Sequence, residues 1–297
     1  MAKKILTKKQ RLILILLYTF RFLNSKQIQE FLRHKDHRRI NSWLKDLVTK
    51  GYIERDFKPI FGTLTKPAIY YLIALGRKDV KEGHNYYFPK YLRKISRDNK
   101  SSKAFRIRCQ IIADWYLTIV PSNDTHVGRS SVGIDIVDYL ELILTNGSQN
   151  YKDTIPLNKL QFFTSVYYPS FALLENMKQD AYLRKKTTRG TDHGLLYVLD
   201  AYIPRFLLRY TFKRIFDTLD DESWEEGSNS LQFYFLCPNN QIIIYMRRLL
   251  PSFLQNYYGS KIVKFNFATR NQLYNKKSGK IQKIPWITMS SEDAFDY

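Results

Sequence analysis

The sequence predicts an α/β chain, α+β in overall organisation, built as two domains. Three observations predict it. Apolar residues recur at helical spacing three times before residue 50 and then give way to two short strand-like runs. Beyond residue 120, short apolar segments come first and then alternate with helical ones, the order of a mixed central sheet. Charge divides the same way: of a net +21, residues 1–120 hold 27 Lys and Arg against 9 Asp and Glu, leaving 21 against 18 for the remainder.

The first helix is expected over residues 8–20, capped by Thr7, with Ile13, Leu16, Leu17 and Phe20 as its inward stripe. Asn24 or Ser25 caps a second over 25–32, with Ile28, Phe31 and Leu32 inward. A basic turn at 33–35 leads to the third, spanning 36–51 behind the cap Asp36. Its Ile40, Trp43, Leu44, Leu47 and Val48 form one face, and Arg38, Arg39, Ser42, Lys45 and Thr49 the other. Gly51 supplies the left-handed residue that ends such a helix. Residues 52–56 read as a strand, 57–67 as a loop with Gly, Pro and Lys, and 68–72 as a returning strand.

A helix-turn-helix followed by a hairpin is a winged helix-turn-helix, here expected over 1–82. In that arrangement the third helix enters the major groove of double-stranded DNA, where phosphates take Lys and Arg and base edges take Arg, Asn and Ser. The candidate DNA-binding residues are therefore Lys26, Arg38, Arg39, Asn41, Ser42 and Lys45 on the helices, Arg33 and Lys35 in the turn between them, and Lys58, Thr63 and Lys66 on the loop. A protein-docking winged helix is the alternative. A basic field of this size has nucleic acid as its commonest partner and an anionic membrane surface as the second.

Residues 83–100 form a basic aromatic linker in which Tyr86, Tyr87, Phe88 and Tyr91 alternate with Lys90, Arg93, Lys94 and Arg97. Such rings can stack on single-stranded DNA while the cations neutralise phosphates, or they can pack on a neighbouring domain. A helix is expected over 101–119, with Phe105, Cys109, Ile112, Ala113 and Tyr116 inward. Because the basic composition ends there, the boundary falls within 83–100 and the helix goes to the second domain, 101–275. That domain's strands are expected at 138–145, 182–184, 195–199, 232–237 and 262–267, and its helices at 205–219 and 241–257. Residues 276–297 read as a polar surface tail.

No apolar run approaches the roughly 20 residues of a membrane span, so no membrane partner is expected. The N-terminus lacks a signal-type apolar region and cleavage site, which predicts a cytoplasmic protein. Cys109 and Cys237 are too few and too distant for a disulfide scaffold or zinc site and should be buried. There is no Gly-rich phosphate loop, and His34, His37, His84, His126 and His193 form no His-x-His pair. The acidic run at 217–226 reads as a solvated turn.

The stretches LTKKQRLILILLYTFRFLNSKQIQEFL, RRINSWLKDLVTKGYIER and AIYYLIALGRKDV, followed by QDAYL at 179–183, LYVLD at 196–200, FYFLCPNN at 233–240, RRLL at 247–250 and VKFNFAT at 263–269, resemble the replication-relaxation proteins of plasmids and conjugative elements. The resemblance implies a winged helix joined to a mixed-sheet, restriction-endonuclease-like domain of the PD-(D/E)XK kind. It implies a mobile-element protein acting in plasmid replication or conjugative mobilisation, with replication or relaxosome proteins and a second copy of the chain as further partners.

A nuclease of that fold holds Mg²⁺ with carboxylates on neighbouring strands, usually beside a lysine. Asp180 stands at the motif's aspartate, behind Gln179 where the motif has proline. On the next strand Asp200 is present, but the acidic place two residues earlier is Val198. The expectation is a catalytically degenerate domain with no cofactor. The enzyme alternative is a Mg²⁺-dependent nuclease or nickase using Asp180 and Asp200, with Glu175 or Asp192 replacing the missing carboxylate. A transcriptional repressor is a third reading.

Overall fold

The computed structural model describes residues 5–57, 67–82, 96–119, 160–164, 174, 177–220, 222–274 and 281–292. Two units divide them, the first reaching Leu117 and the second taking Thr118 and Ile119 and then running from residue 155 onward.

In the first unit, α1 (Lys8–Phe20) starts at a capping box in which Thr7 accepts from the Gln10 N–H and the Gln10 side chain accepts from the Thr7 N–H. It is the core of the unit, with Leu12, Ile13, Leu14, Leu16 and Leu17 wholly buried. After β1 (Leu23–Asn24), Asn24 opens α2 (Ser25–Phe31) with a second capping box. Asp36 then caps α3 (His37–Thr49) by accepting from the Arg38 N–H. Gly51, at φ 77°, closes α3 in a Schellman motif: the Gly51 N–H donates to Val48 O and the Tyr52 N–H to Leu47 O.

That turn feeds β2 (Ile53–Asp56), which pairs antiparallel with β3 (Ile69–Leu72); β1 pairs with the other edge of β3, giving the order β1-β3-β2. The three helices and the hairpin stand within a residue or two of their expected bounds. β1 was too short to show a period of its own, and α4 (Ala74–Glu82) was not foreseen. A Cβ on Gly76 would stand 2.2 Å from the Tyr52 carbonyl oxygen, so α4 needs glycine where it crosses that backbone.

The next helix, α5 (Lys103–Ile119), corrects the expected boundary. Its contacts belong to the first unit, not to the second. Tyr116 packs against Phe20 and Phe31, and Cys109 joins a cluster with Phe22 and Tyr71. Gln27 Nε2 donates to Asp114 Oδ1 at 2.7 Å and to the Gln110 carbonyl at 3.0 Å, while Arg106 pairs with Asp56. Asp98, in the 3₁₀ turn Asp98–Lys100, is buried and bound by Arg21. The remainder of the 83–100 segment, 83–95, lies outside the described residues.

The second unit is a six-stranded mixed sheet in the order β4-β5-β6-β7-β8-β9. Its strands are β4 (Leu160–Thr164), β5 (Ala181–Thr187), β6 (Gly190–Val198), β7 (Ser228–Cys237), β8 (Ile262–Thr269) and β9 (Ile287–Ser290). β6, β7 and β8 run parallel and every other pairing is antiparallel. Parallel neighbours need crossovers. They are α6 (Arg205–Leu219) between β6 and β7, and α7 (Asn240–Leu249) with α8 (Pro251–Leu254) between β7 and β8.

Phe233, Phe235, Phe265 and Phe267 from β7 and β8, with Leu208, Phe212 and Ile215 from α6, are wholly buried in one core. Both cysteines are buried and neither is in a disulfide, as expected. The helix expected over 241–257 is divided at Pro251, the first residue of α8. The strand expected at 138–145 lies outside the described residues. The tail is not simply a surface segment: Ile284 is buried and β9 pairs with β8 in the register Phe265↔Met289.

Candidate nucleic-acid interface

The polar side of α3 follows from its apolar side. Ile40, Leu44 and Leu47 have no exposed surface, which fixes the rotation of the helix. Arg38, Ser42, Lys45 and Thr49, at i, i+4, i+7 and i+11, then form its outermost row, and all four are exposed. Asn41 and His37 stand beside that row and approach each other at 3.3 Å, Nδ2 to Nδ1.

These flanking residues line a groove of about 610 Å³ together with Ser25 and Lys26 of α2 and Arg55, Pro67 and Tyr70 of the hairpin. Arg55 lies over the Phe57 ring at 4.5 Å. The groove is therefore lined by three cations, Lys26, Lys45 and Arg55, together with ring and aliphatic surface. Arg39 belongs to the other flank, where its guanidinium lies 5.9 Å from the Trp43 ring centroid and His34 meets the same ring edge-on.

Asp46 is the single acid between residues 37 and 50. Its carboxylate accepts from Gln10 Nε2 at 2.5 Å and Lys50 Nζ at 2.6 Å. The helix's own negative charge is thus matched on its flank by Lys50, and the outer row keeps a positive field.

The structure sorts the expected residues. Lys26, Asn41 and Lys45 come together in the groove, Arg38 and Ser42 stand on the adjoining row, and Arg39 is set apart on Trp43. Arg33 and Lys35 are exposed in the turn before α3, where Arg33 adopts a positive φ of 47°. Lys58, Thr63 and Lys66 lie outside the described residues. His37, Arg55 and Ser25 were missed as groove residues. An arginine at 55 carries no helical signal, and only the pairing Arg55↔Tyr70 sets it beside α3.

In the second unit, Asp180 precedes β5. Its Oδ2 accepts the Val198 N–H at 2.7 Å, and its own N–H donates to Leu196 O at 2.8 Å. The carboxylate thus continues the strand pairing between β5 and β6. Val198 is 2% exposed, and Asp200 lies exposed just beyond the end of β6.

Asp192 does not supply the missing acid. It sits eight residues before Asp200 in the direction of β6, roughly 26 Å away at strand rise, and it accepts from Asn229 and Ser230. Glu175 lies outside the described residues. Among the described residues no group of three or more His, Cys, Asp or Glu side chains is arranged to hold a metal.

His193 is buried between Tyr182 and Ser228, with Nδ1 2.6 Å from the tyrosine oxygen and Nε2 3.0 Å from the serine Oγ. The Ser228 hydroxyl donates to the Trp224 carbonyl, so the serine oxygen accepts Nε2–H and the Tyr182 hydroxyl donates to Nδ1. Burial, reinforced by the Arg184 cation, lowers the His193 pKa to about 4. The bonds hold a neutral imidazole that ties β6 to both of its neighbours, β5 and β7.

Residues 14–111 match the family model described as replication-relaxation. This part of the chain is similar to the replication-relaxation family. The matched segment runs from within α1 through α3 and the hairpin and ends inside α5, in keeping with the contacts that give α5 to the first unit. No curated protein and no solved structure matches the chain. Among the described residues no helix is long and apolar enough to cross a membrane.

Proposed function

We propose that this chain, similar over residues 14–111 to the replication-relaxation family, binds double-stranded DNA through its first unit, a winged helix-turn-helix, and serves the replication or mobilisation of a plasmid or related mobile element. The observation that carries this reading is the outer row Arg38, Ser42, Lys45 and Thr49 beside a basic groove, with Asp46 paired to Lys50 on the flank. Arg38 and Lys45 neutralise phosphates, Asn41 and Ser42 face base edges, and Lys26 at the start of α2 holds the adjacent backbone.

The test is a titration of labelled duplex DNA with the full chain. Asn41→Ala with Lys45→Ala should weaken binding by at least about tenfold, since each base or phosphate contact is worth about 1–3 kcal/mol. Equal binding by that variant and the parent would remove α3 from the interface.

In the same reading the second unit is a nuclease-like sheet that positions partners without cutting. Asp180 supports this, because its carboxylate oxygen is bonded to the Val198 N–H. Supercoiled DNA incubated with Mg²⁺ or Mn²⁺ should be bound and remain uncut. Metal-dependent nicking that Asp180→Ala abolishes would make the domain an enzyme.

A further inference from the structure

The second unit carries a surface that neither its fold nor α3 explains. Large aromatic rings normally bury, yet Tyr202 is 96% exposed, Phe206 70% and Tyr210 59%. Tyr202 stands in the turn leading into α6, and Phe206 and Tyr210 follow four residues apart on the helix. Immediately beside them, one residue earlier each time, run Arg205 and Arg209, and Lys213 continues the row; all three are exposed.

Two ridges therefore climb α6 together, one of rings and one of cations, each repeating every four residues or about 6 Å of helix rise. Arg205 lies 5.2 Å from the Tyr245 ring of α7, so the surface continues onto the next helix. Asp217, near the far end of α6, is that helix's single acid.

A ring ridge alone would fit any apolar partner, and a cation ridge alone any anion. Their common repeat fits a polymer whose flat apolar groups and negative charges also alternate at a common repeat, which is a nucleic-acid strand with its bases unpaired. In a duplex the bases are already stacked and offer no faces to rings. We propose that this face of α6 binds single-stranded DNA, with bases stacked on Phe206, Tyr210 and Tyr202 and phosphates held by Arg205, Arg209 and Lys213. The single-stranded site lies on the second unit, separate from the duplex site on α3, and does not depend on that reading.

The experiment uses the full chain and three labelled probes: oligo(dT) of about 16 nucleotides, a duplex, and anionic phosphatidylserine vesicles. Phe206→Leu with Tyr210→Leu keeps apolar bulk and helix propensity while removing the rings. We expect its affinity for oligo(dT) to fall by at least about tenfold while duplex binding stays within about twofold, and tyrosine fluorescence of the parent to be quenched by oligo(dT). Arg209→Ala with Lys213→Ala should weaken oligo(dT) binding and flatten its salt dependence, and serves where the ring variant fails to fold.

Unchanged oligo(dT) binding by a folded ring variant overturns the proposal. So does an equal loss of oligo(dT) and duplex binding. Preference for vesicles over oligo(dT) overturns it too and gives the face to lipid. Ring-dependent self-association without oligo(dT) binding overturns it in favour of a second copy of the chain.

Discussion

The two units of this chain hold their parts together with a different balance of polar and ring contacts. In the first, an apolar α1 is surrounded by elements fastened through charged and amide side chains: Gln27 to Asp114, Arg106 to Asp56, Arg21 to Asp98 and Gln10 to Asp46. In the second, rings do the fastening, with Phe233 stacked on Phe265 at 4.9 Å, Phe216 on Phe265 at 5.7 Å, Tyr197 on Phe235 at 5.0 Å and Phe235 on Phe267 at 5.5 Å. The first unit carries most of the net charge, and its few acids are spent on matching cations at the back and sides. The second, from residue 155 onward, has 19 Lys and Arg against 13 Asp and Glu and builds its core mainly from rings and aliphatic side chains. Polarity in the first unit is thus part of the assembly of a basic surface rather than decoration on it.

That contrast breaks most visibly at the ring stack. Phe265→Ala removes the ring shared by Phe212, Phe216 and Phe233 and should cost about 3–5 kcal/mol in urea unfolding, the range for a buried phenylalanine truncated to alanine. A cost below about 1 kcal/mol would show that the stack is not what holds the sheet to α6.

Acid should strain the second unit next. The folded pKa of His193 is about 4, below the 6.5 of an unfolded histidine, so its contribution is complete above pH 6.5 and is lost as pH falls toward 4. The difference corresponds to about 3 kcal/mol. Melting temperatures from pH 7 to pH 4.5 should fall in that window, and the fall should shrink in His193→Gln.

A smaller effect sharpens the picture of the first unit. Gln27→Ala removes the bonds that join α2 to Asp114 and the Gln110 carbonyl, at a cost of about 1–3 kcal/mol for buried polar partners. Amide exchange in α5 should accelerate. Unaltered exchange would mean that Tyr116 and Cys109 suffice to seat that helix.

Sequence reading reached the first unit's skeleton because each signal there is local. The caps at Thr7, Asn24 and Asp36 and the stop at Gly51 are set by neighbours within four residues. Arg55 could not be recognised as a groove residue, since only the strand register Arg55↔Tyr70 sets it beside α3, and Ser25 reaches the groove through the packing of α2 on α3. α5 was assigned to the wrong unit for a related reason. Composition marks where charge ends, whereas Cys109 and Asp114 mark what the helix touches, and the two do not coincide.

β4 and β9 escaped notice because edge strands bury one side at most, so their apolar alternation is weak. The exposed rings of α6 were passed over in favour of its buried stripe. Periodicity names the face that packs and leaves the other face without a signal. Val198 and Asp200 were readable as residues, but the bond from Val198 to Asp180 was not.

The most direct measurement is the salt dependence of duplex binding by the full chain and by Arg38→Ala with Lys45→Ala. Both residues are exposed on the outer row of α3, so the substitutions should leave stability within about 0.5 kcal/mol. If α3 seats two phosphates through them, the slope of log K against log salt should be shallower in the variant by about 1.8, at about 0.9 per phosphate contact. An unchanged slope with unchanged affinity would contradict the central claim that α3 is the element that holds DNA.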